Sequence, residues 1–390
     1  MDGLDRRKLL RLLGGVGAAG VTSSLAACVS PTGGSDPKSP VRIGLLVPAT
    51  GANKAIGGDL ENGFKLYLET RSDQLAGHLV QLVIEDEGDT VAQGTEALKK
   101  LHGQNVVAVV GMASSDLLRD TRELIEKSQI PLLAAHGSSS DMASAVNIWR
   151  TAYRNNEPGR AIGQYLKGRG GGKSKTALVG LKDAFGEDVS SGFTKDNGGV
   201  VGPFYVSATA TPDKAHLAGV ANQVMASSAE NIFSWLPSNY LIPFIQQLPQ
   251  NKYEIYAPGL VSEGAAVEQL SAAKGLFTAM QYSADLNNAA NRAFSSLFQT
   301  RYQRSPTAYA VAAYDAAQVL DSAIAMIFDE AITPQIVNQK IALVGQVVSP
   351  RGNWQFTQDR APQQKWYLRQ IRWDGPVLSN VLVSELSTLA

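Results

Sequence analysis

Residues 41–51 read Val-Arg-Ile-Gly-Leu-Leu-Val-Pro-Ala-Thr-Gly, an apolar run that ends in a loop containing proline and glycine. Beyond this loop, Leu60, Phe64 and Leu68 recur at every fourth position, which places them on one face of a helix. The stretch therefore predicts a buried strand, a loop and an amphipathic helix in immediate succession. This unit decides the fold, because the rest of the chain repeats it.

The alternation of strand and helix continues through both halves of the chain. Apolar strands joined by amphipathic helices predict parallel sheets with right-handed crossovers, the α/β class. In the first half the predicted strands are 42–47, 78–84, 106–110 and 131–134, and the predicted helices are 91–102 and 117–127. In the second half the predicted strands are 176–180, 200–206, 231–236 and 254–257, and the predicted helices are 159–168 and 244–248. Strand-like segments after residue 352 indicate a chain that crosses between two lobes.

The composition excludes several classes of function. Lys plus Arg and Asp plus Glu each number 35, so no basic surface favours nucleic acid. The histidines at 78, 102, 136 and 216 lack the spacing of metal ligands. The glycine-rich run 168–172 precedes a strand instead of joining a strand to a helix. We therefore interpret it as a linker and not as a phosphate loop. We therefore expect no metal, no cofactor and no enzymatic activity.

The N-terminus carries the pattern of an exported protein. A basic segment containing Arg6 and Arg7 precedes an apolar stretch over 9–27, which predicts a signal peptide over 1–27. Residues 25–28, Leu-Ala-Ala-Cys, resemble the bacterial lipobox, and Cys28 is the only cysteine of the chain. This resemblance implies acylation of Cys28 and a location outside the cytoplasm. Export by the twin-arginine route and export by the Sec route both stay open.

The sequence after the signal peptide predicts a tether followed by two domains. Residues 28–40 are rich in proline, glycine and serine, which is typical of a flexible tether. The length that remains favours two domains over one.

Five segments, in their order and spacing, resemble the type I periplasmic binding proteins, specifically the branched-chain amino-acid-binding group of ABC importers. The similarity extends over about 41–376, and the segments that carry it are 41–51 with Gly57 and Gly63, 85–89, 149–151, 183–187 and 313–316. The resemblance implies two doubly wound, Rossmann-like lobes with a ligand cleft between them. It also implies three hinge crossings, near Arg154, Tyr282 and Val348. Lobe 1 is then 41–154 plus 283–348, and lobe 2 is 155–282 plus 349–390.

The first lobe offers two loops that follow strands. Ser114 and Ser115 stand where a helix begins, and the exposed N–H groups of such a site favour an anion. By the resemblance, the hydroxyl of Ser115 contacts a ligand carboxylate, and His136, Gly137 and Ser138 form the second ligand loop. Two interpretations of His136 stay open: a cleft residue that makes binding depend on pH, or a surface histidine.

The second lobe supplies the other wall of the cleft. By the resemblance, Phe185 matches an aromatic side chain that closes over the ligand. The loop 235–240 matches a further cleft segment, and the side chain that faces the ligand is left open among Trp235, Ser238 and Asn239.

The choice of ligand depends on one missing charge. Amino-acid binders of this group often place a carboxylate at the position of Gly259 to pair with the ligand ammonium. Glu263, four residues further on, either substitutes for it or is a solvated loop residue. A buried ammonium without a counter-charge is costly, so a carboxylate without an α-amino group becomes a candidate ligand beside the amino acids.

The leading hypothesis is a lipid-anchored solute-binding protein that delivers an amino-acid-like or carboxylate ligand to an ABC permease by hinge closure. The lipid anchor is the only membrane contact expected. The alternative hypothesis is a lipoprotein of the same fold that regulates cell-wall synthases through protein contacts.

Overall fold

The first sheet is built from the N-terminal part of the chain. The computed structural model describes residues 38–170, 174–209 and 212–389. Its first six strands are β1 (Lys38–Val47), β2 (Gln74–Leu75), β3 (His78–Asp86), β4 (Ala108–Gly111), β5 (Leu132–Ala134) and β6 (Ile148–Arg150). They form one sheet in the order β2-β3-β1-β4-β5-β6, in which every pair is parallel except β2 with β3.

The second sheet takes its strands from the middle and the end of the chain. These are β7 (Thr176–Leu181), β8 (Val200–Val206), β9 (Asn231–Ser234), β10 (Glu254–Pro258), β11 (Phe277–Met280), β12 (Gln355–Phe356), β13 (Pro362–Asp374) and β14 (Val377–Leu389). Their order is β12-β13-β11-β10-β9-β7-β8, and β14 pairs with β13. Strands β7 to β11 pair in parallel, whereas the C-terminal hairpin of β13 and β14 joins antiparallel.

Helices connect the strands of both sheets. They are α1 (Lys54–Glu69), α2 (Val91–His102), α3 (Ser115–Asp120), α4 (Arg122–Ser128), α5 (Glu157–Gly170), α6 (Ala184–Asp196), α7 (Lys214–Ala226), α8 (Ser238–Ile245), α9 (Ala289–Tyr302), α10 (Ala308–Ala325) and α11 (Pro334–Ile341). Three 3₁₀ segments complete them: Ser140–Ser144, Gly259–Ser262 and Gly264–Ala273. Among the described residues, no helix combines the length and the apolar character needed to cross a membrane.

The chain passes three times between the two sheets. It leaves the first sheet after β6, comes back after β11 with α9 to α11, and rejoins the second sheet at β12. The predicted α/β architecture of two lobes is therefore confirmed. Here the first lobe means the first sheet with α1 to α4 and α9 to α11, and the second lobe means the second sheet with α5 to α8. The predicted hinge positions lie in the connecting segments, and the residue-level domain boundaries stay a prediction.

The first strand–loop–helix unit has the packing that its sequence predicted. Leu60, Phe64 and Leu68 of α1 are all buried. At Gly63 the helix approaches α10 so closely that a Cβ atom would lie 1.9 Å from the carbonyl oxygen of Ala310. Only glycine permits this contact, which holds the returning helix against the first sheet.

Three local predictions differ from the structure, and some elements were not predicted. The predicted helix over 117–127 is two helices, α3 and α4, with a break at Thr121, whose hydroxyl bonds to the carbonyl of Leu117 at 2.6 Å. The helix expected over 244–248 is α8, which contains Pro243 instead of beginning after it. Residues 38–40, predicted as tether, belong to β1, and β6 was not predicted. Cys28 and the predicted signal peptide lie outside the described residues.

Candidate functional site

The candidate site lies where parallel strands end. In the first sheet β1 is the strand at which the order reverses, so the loops after β1 and β4 open a crevice at its carboxyl edge. In the second sheet the corresponding strands are β7 and β9. The predicted ligand residues lie on the segments that follow β4, β5, β7, β9 and β10.

Ser115 joins the two ligand loops of the first lobe. Its hydroxyl donates to the carbonyl oxygen of Gly137 at 2.8 Å, and the side-chain amide of Asn155 donates to the Ser115 hydroxyl oxygen at 3.4 Å. Ser114 caps α3, because its side chain accepts from the backbone N–H of Leu117 at 3.1 Å. The predicted loops therefore do meet, with the Ser115 hydroxyl engaged between them.

A buried carboxylate lies beneath the first ligand loop. Glu87 is 3% exposed and accepts 2.7 Å hydrogen bonds from the backbone N–H groups of Ala113 and Ser114. These N–H groups were expected to be exposed for an anion, and Glu87 takes them instead. Burial raises the pKa of Glu87 to about 7, although both hydrogen bonds act to lower it. The acidic turn 85–89 was visible in the sequence, but nothing local showed that Glu87 turns inward.

His136 is partly buried, and its ring packs against α10 of the first lobe. Its ring stacks on Tyr309 with the centroids 5.1 Å apart, and its Nδ1 atom is buried without a hydrogen-bond partner among the described residues. Burial lowers the pKa of His136 to about 4, so the imidazole is neutral at physiological pH. The described contacts therefore give no support to the interpretation of His136 as a pH-sensing cleft residue near neutrality.

Tyr153 was missed by the sequence analysis. Its hydroxyl is buried with no hydrogen-bond partner among the described residues, and its ring packs edge-on against Trp366 at 5.6 Å. A Cβ atom at Gly137 would lie 2.9 Å from the tyrosine ring, so position 137 must be glycine. Ser138 is buried beside it and donates its backbone N–H to the carbonyl of Tyr153 at 3.1 Å.

Two predicted residues of the second lobe are engaged within that lobe. The indole N–H of Trp235 donates to the carbonyl of Leu181 at 2.8 Å, and the ring fills the space that side chains at Gly180 and Gly186 would need. The hydroxyl of Ser238 lies 3.2 Å from the side-chain oxygen of Gln269. Phe185, in the first turn of α6, is only partly buried.

Glu263 is neither solvated nor free. It is 8% exposed, and one of its oxygens lies 2.8 Å from Nη1 of Arg369, which is 2% exposed. Its other oxygen accepts from the backbone N–H of Ala308 at 2.7 Å, where α10 begins. The carboxylate thus connects the second lobe to the first. Both sequence-based interpretations of Glu263 as a single free charge left out Arg369.

Arg369 occupies the space at Gly259. The guanidinium also donates to the carbonyl oxygens of Tyr282 at 3.1 Å and Gly259 at 3.3 Å. A Cβ atom at Gly259 would lie 2.8 Å from Nη2 of Arg369 and 2.6 Å from Cβ of Met280. No carboxylate side chain can therefore be accommodated at position 259 without moving the arginine.

A second contact connects the lobes on the side of α6. The carboxylate of Asp188 accepts from the hydroxyl of Ser140 at 2.5 Å, and from the hydroxyl of Ser139 and the backbone N–H of Ser140 at 3.3 Å each. Within the described part of the chain, no three His, Cys, Asp or Glu side chains are grouped to hold a metal ion.

The family model of periplasmic binding proteins matches residues 40–376. The chain belongs to the periplasmic binding protein family. This family is one of binding proteins that act outside the cytoplasm and not of enzymes, as the sequence predicted. None of the curated proteins matches the sequence.

Solved periplasmic binding proteins share the fold. A solute-binding protein of an ABC transporter from R. palustris, in complex with benzoate, is 24% identical, with a TM-score of 0.77 over 90% of this chain and 98% of that chain. A leucine-binding protein from Thermotoga maritima is 17% identical, with a TM-score of 0.75 over 89% and 98% of the two chains. A branched-chain amino-acid-binding protein from Streptococcus pneumoniae, in complex with isoleucine, is 16% identical, with a TM-score of 0.74 over 88% and 100%. At these identities the likeness is one of fold.

Proposed function

We propose that this periplasmic binding protein is a lipid-anchored receptor that delivers a small organic carboxylate without an α-ammonium group to an ABC permease. The ligand binds between the lobes, which close around it by hinge motion. The choice of ligand rests on one observation: both carboxylate oxygens of Glu263 are already engaged by other groups of the protein.

Position 259 itself supplies no carboxylate to pair with a ligand ammonium. Glu263 is the carboxylate nearest in sequence to this position, and both of its oxygens are engaged by Arg369 and Ala308. A ligand cation brought beside the buried guanidinium of Arg369 would face a charge of the same sign. Because an unpaired buried charge costs several kcal/mol or more, this arrangement disfavours α-amino acids.

The surroundings suit an aromatic acid. The rings of His136, Tyr309 and Tyr153 lie at the junction of the ligand loops, and neutral imidazole adds no positive charge. The buried Nδ1 of His136 and the buried hydroxyl of Tyr153 lack partners and can bond to a polar substituent of a ligand. That a neighbour of the same fold binds benzoate agrees with this choice, although it describes that protein alone.

The test is a matched series of ligands that differ at one atom. Calorimetry compares 3-phenylpropanoate with L-phenylalanine, and 4-methylpentanoate with L-leucine, beside benzoate and 4-hydroxybenzoate. We expect each deaminated acid to bind at least tenfold more tightly than its amino acid. Tighter binding of the amino acids would overturn the ligand class, and binding of nothing in the series would favour the alternative of a protein regulator.

Ser115 and Ser138 are proposed to contact the ligand carboxylate, for which the Ser115 hydroxyl must turn away from the carbonyl oxygen of Gly137. A hydroxyl bond to a charged group is worth about 1.5–3 kcal/mol, so Ser115→Ala should weaken the best ligand by roughly ten- to a hundredfold. Ser128→Ala, a serine at the end of α4 away from the loops, is the matched control. Unchanged affinity in Ser115→Ala would exclude this role.

The lipid anchor is proposed from the sequence alone. Cys28 is the only thiol available for acylation, and small residues precede it. Intact mass of the membrane-extracted protein should show loss of residues 1–27 and addition of lipid, and Cys28→Ala should release the protein from the membrane. A wild-type mature form that is soluble and begins elsewhere would disprove the anchor.

A further inference from the structure

Three arginines and two carboxylates meet where the chain first leaves the first sheet. Arg150 ends β6, and Arg154 and Glu157 follow it toward the second lobe. Asp359 and Arg360 come from the loop between β12 and β13 of the second lobe. The backbone of Arg154 bridges to Ser138 of the second ligand loop, but the proposed function assigns no role to the side chains of this hinge cluster.

Arg150 is the unusual member of the hinge cluster. It is fully buried, and its Nη2 donates to the backbone carbonyl oxygen of Asp359. Its Nε and Nη1 atoms are buried and have no hydrogen-bond partner among the described residues. The Nε atom of Arg360 is likewise buried without a hydrogen-bond partner among the described residues. The guanidinium of Arg360 lies over the ring of Trp149, 5.3 Å from its centroid.

Arg154 holds the carboxylate of Asp359 and lies near that of Glu157, one oxygen of which has no hydrogen-bond partner among the described residues. Arg154 reaches both oxygens of Asp359 from Nη2, at 2.7 and 2.6 Å, and its Nη1 lies 3.7 Å from Glu157. Burial opposes ionisation of Asp359, but the Thr357 hydroxyl and the charge of Arg154 outweigh it and lower the pKa of Asp359. Burial raises the pKa of Glu157 to about 7, so this carboxylate is only partly charged at neutral pH.

The cluster therefore carries excess positive charge in a buried place. Even with both carboxylates ionised, three arginines leave one positive charge uncompensated. Burial and the neighbouring charge of Arg154 lower the pKa of Arg150 to about 10, which leaves it protonated at neutral pH. An unpaired buried cation is costly, and guanidinium groups are well suited to bind anions.

We propose that the hinge cluster binds a small inorganic anion, held by the free guanidinium nitrogens of Arg150 in the positive field of Arg360. The backbone already joins the two lobes here, since the N–H of Arg150 donates to the carbonyl of Arg360 at 2.9 Å. An anion bound by the free nitrogens of Arg150, in the positive field of Arg360, adds a second connection between β6 and the loop that precedes β13. The anion thus stabilises the hinge independently of the ligand in the cleft.

The test measures melting temperature during anion titration of the ligand-free protein. Chloride, sulfate and inorganic phosphate are added separately, with sodium gluconate holding the ionic strength constant, so that the three arms distinguish a halide from an oxyanion site. We expect a saturable rise with at least one of them. Arg360→Gln should weaken the apparent affinity at least tenfold, whereas Arg372→Gln, at an exposed position of β13, should leave it unchanged.

Two results would overturn the site. One is the absence of any saturable rise in the wild type, and the other is a rise of equal size and midpoint in Arg360→Gln. Arg150→Met removes the buried charge at similar length, and we expect it to abolish the anion response. If that variant does not fold, the half-buried Arg360 still decides the question, because its substitution leaves Arg150 in place.

Discussion

At the scale of single residues, Glu263 shows how a partner distant in sequence changes the meaning of a side chain. In the sequence, Glu263 lies four residues after Gly259 and could be interpreted as a substitute counter-charge for a ligand. Arg369 lies 106 positions further along the chain, and it converts Glu263 into half of a buried ion pair. The pair also fills the space at Gly259, so one tertiary contact removes both places where a ligand ammonium could be neutralised.

Glu263→Gln should therefore destabilise the protein more than it alters ligand choice. Removing one partner of a buried ion pair leaves the other charge uncompensated, at a cost of about 3–5 kcal/mol. Denaturant unfolding should show this loss in the free energy of unfolding. Glu268→Gln, an exposed glutamate of the neighbouring 3₁₀ segment, should change it by less than about 0.5 kcal/mol. Equal stability of the two variants would mean that the pair contributes little.

At the scale of elements, the loop between β4 and α3 is held from below by Glu87, which comes from the end of β3. The folded pKa of about 7 stands above the ordinary value of 4.5. Between these values the folded protein keeps a proton that the unfolded chain releases, so this group makes stability fall as pH rises from 4.5 to 7. Glu157 acts in the same direction, whereas the lowered pKa of His136 acts in the opposite direction between about pH 4 and 6.5.

Glu87→Gln should remove the contribution of Glu87 to the pH dependence of stability, because glutamine does not titrate. The free energy of unfolding, measured from pH 5 to 7, should fall less steeply with pH than in the wild type, by up to about 1.4 kcal/mol per pH unit. Glu96→Gln, an exposed position of α2, should keep the wild-type slope. An unchanged slope in Glu87→Gln would show that Glu87 ionises normally in the folded state.

At the scale of the whole molecule, the lobes are connected on both sides of the cleft. Glu263 reaches the start of α10, and Asp188 of α6 reaches Ser139 and Ser140. A receptor that closes on its ligand must balance such contacts, because any contact specific to the closed state raises the closed population before ligand arrives.

Asp188→Asn should shift that balance toward the open state. The amide keeps the shape but loses the charge that the serine groups contact, so we expect ligand affinity to fall about tenfold, or 1.4 kcal/mol. X-ray scattering of the ligand-free variant should show a larger radius of gyration than the wild type. Glu187→Gln, the exposed neighbour on α6, is the control. Wild-type affinity together with wild-type scattering would argue against this contact as a closing element.

The order of elements and the class of protein could be read from the sequence. The period of the apolar residues indicates strands and helices, and proline and glycine indicate loops. All of these are local signals. Thus 200–206 and 91–102 are predicted to the residue, and α1 buries the face that its spacing indicates. The helix break at Thr121 escaped, because no proline, glycine or change in apolar period marks it in the sequence.

The site depended on contacts that no local pattern records. The sequence analysis placed Ser115, His136 and Glu263 on segments that follow strands, but it did not show their partners: Gly137 on another loop, Tyr309 on α10 and Arg369 on β13. Whether a carboxylate is free or paired, and whether a histidine is charged, is decided by burial and by neighbours distant in the chain. The fold therefore followed from local periodicity, and only the tertiary structure decided which of the candidate charged groups are paired and which are neutral.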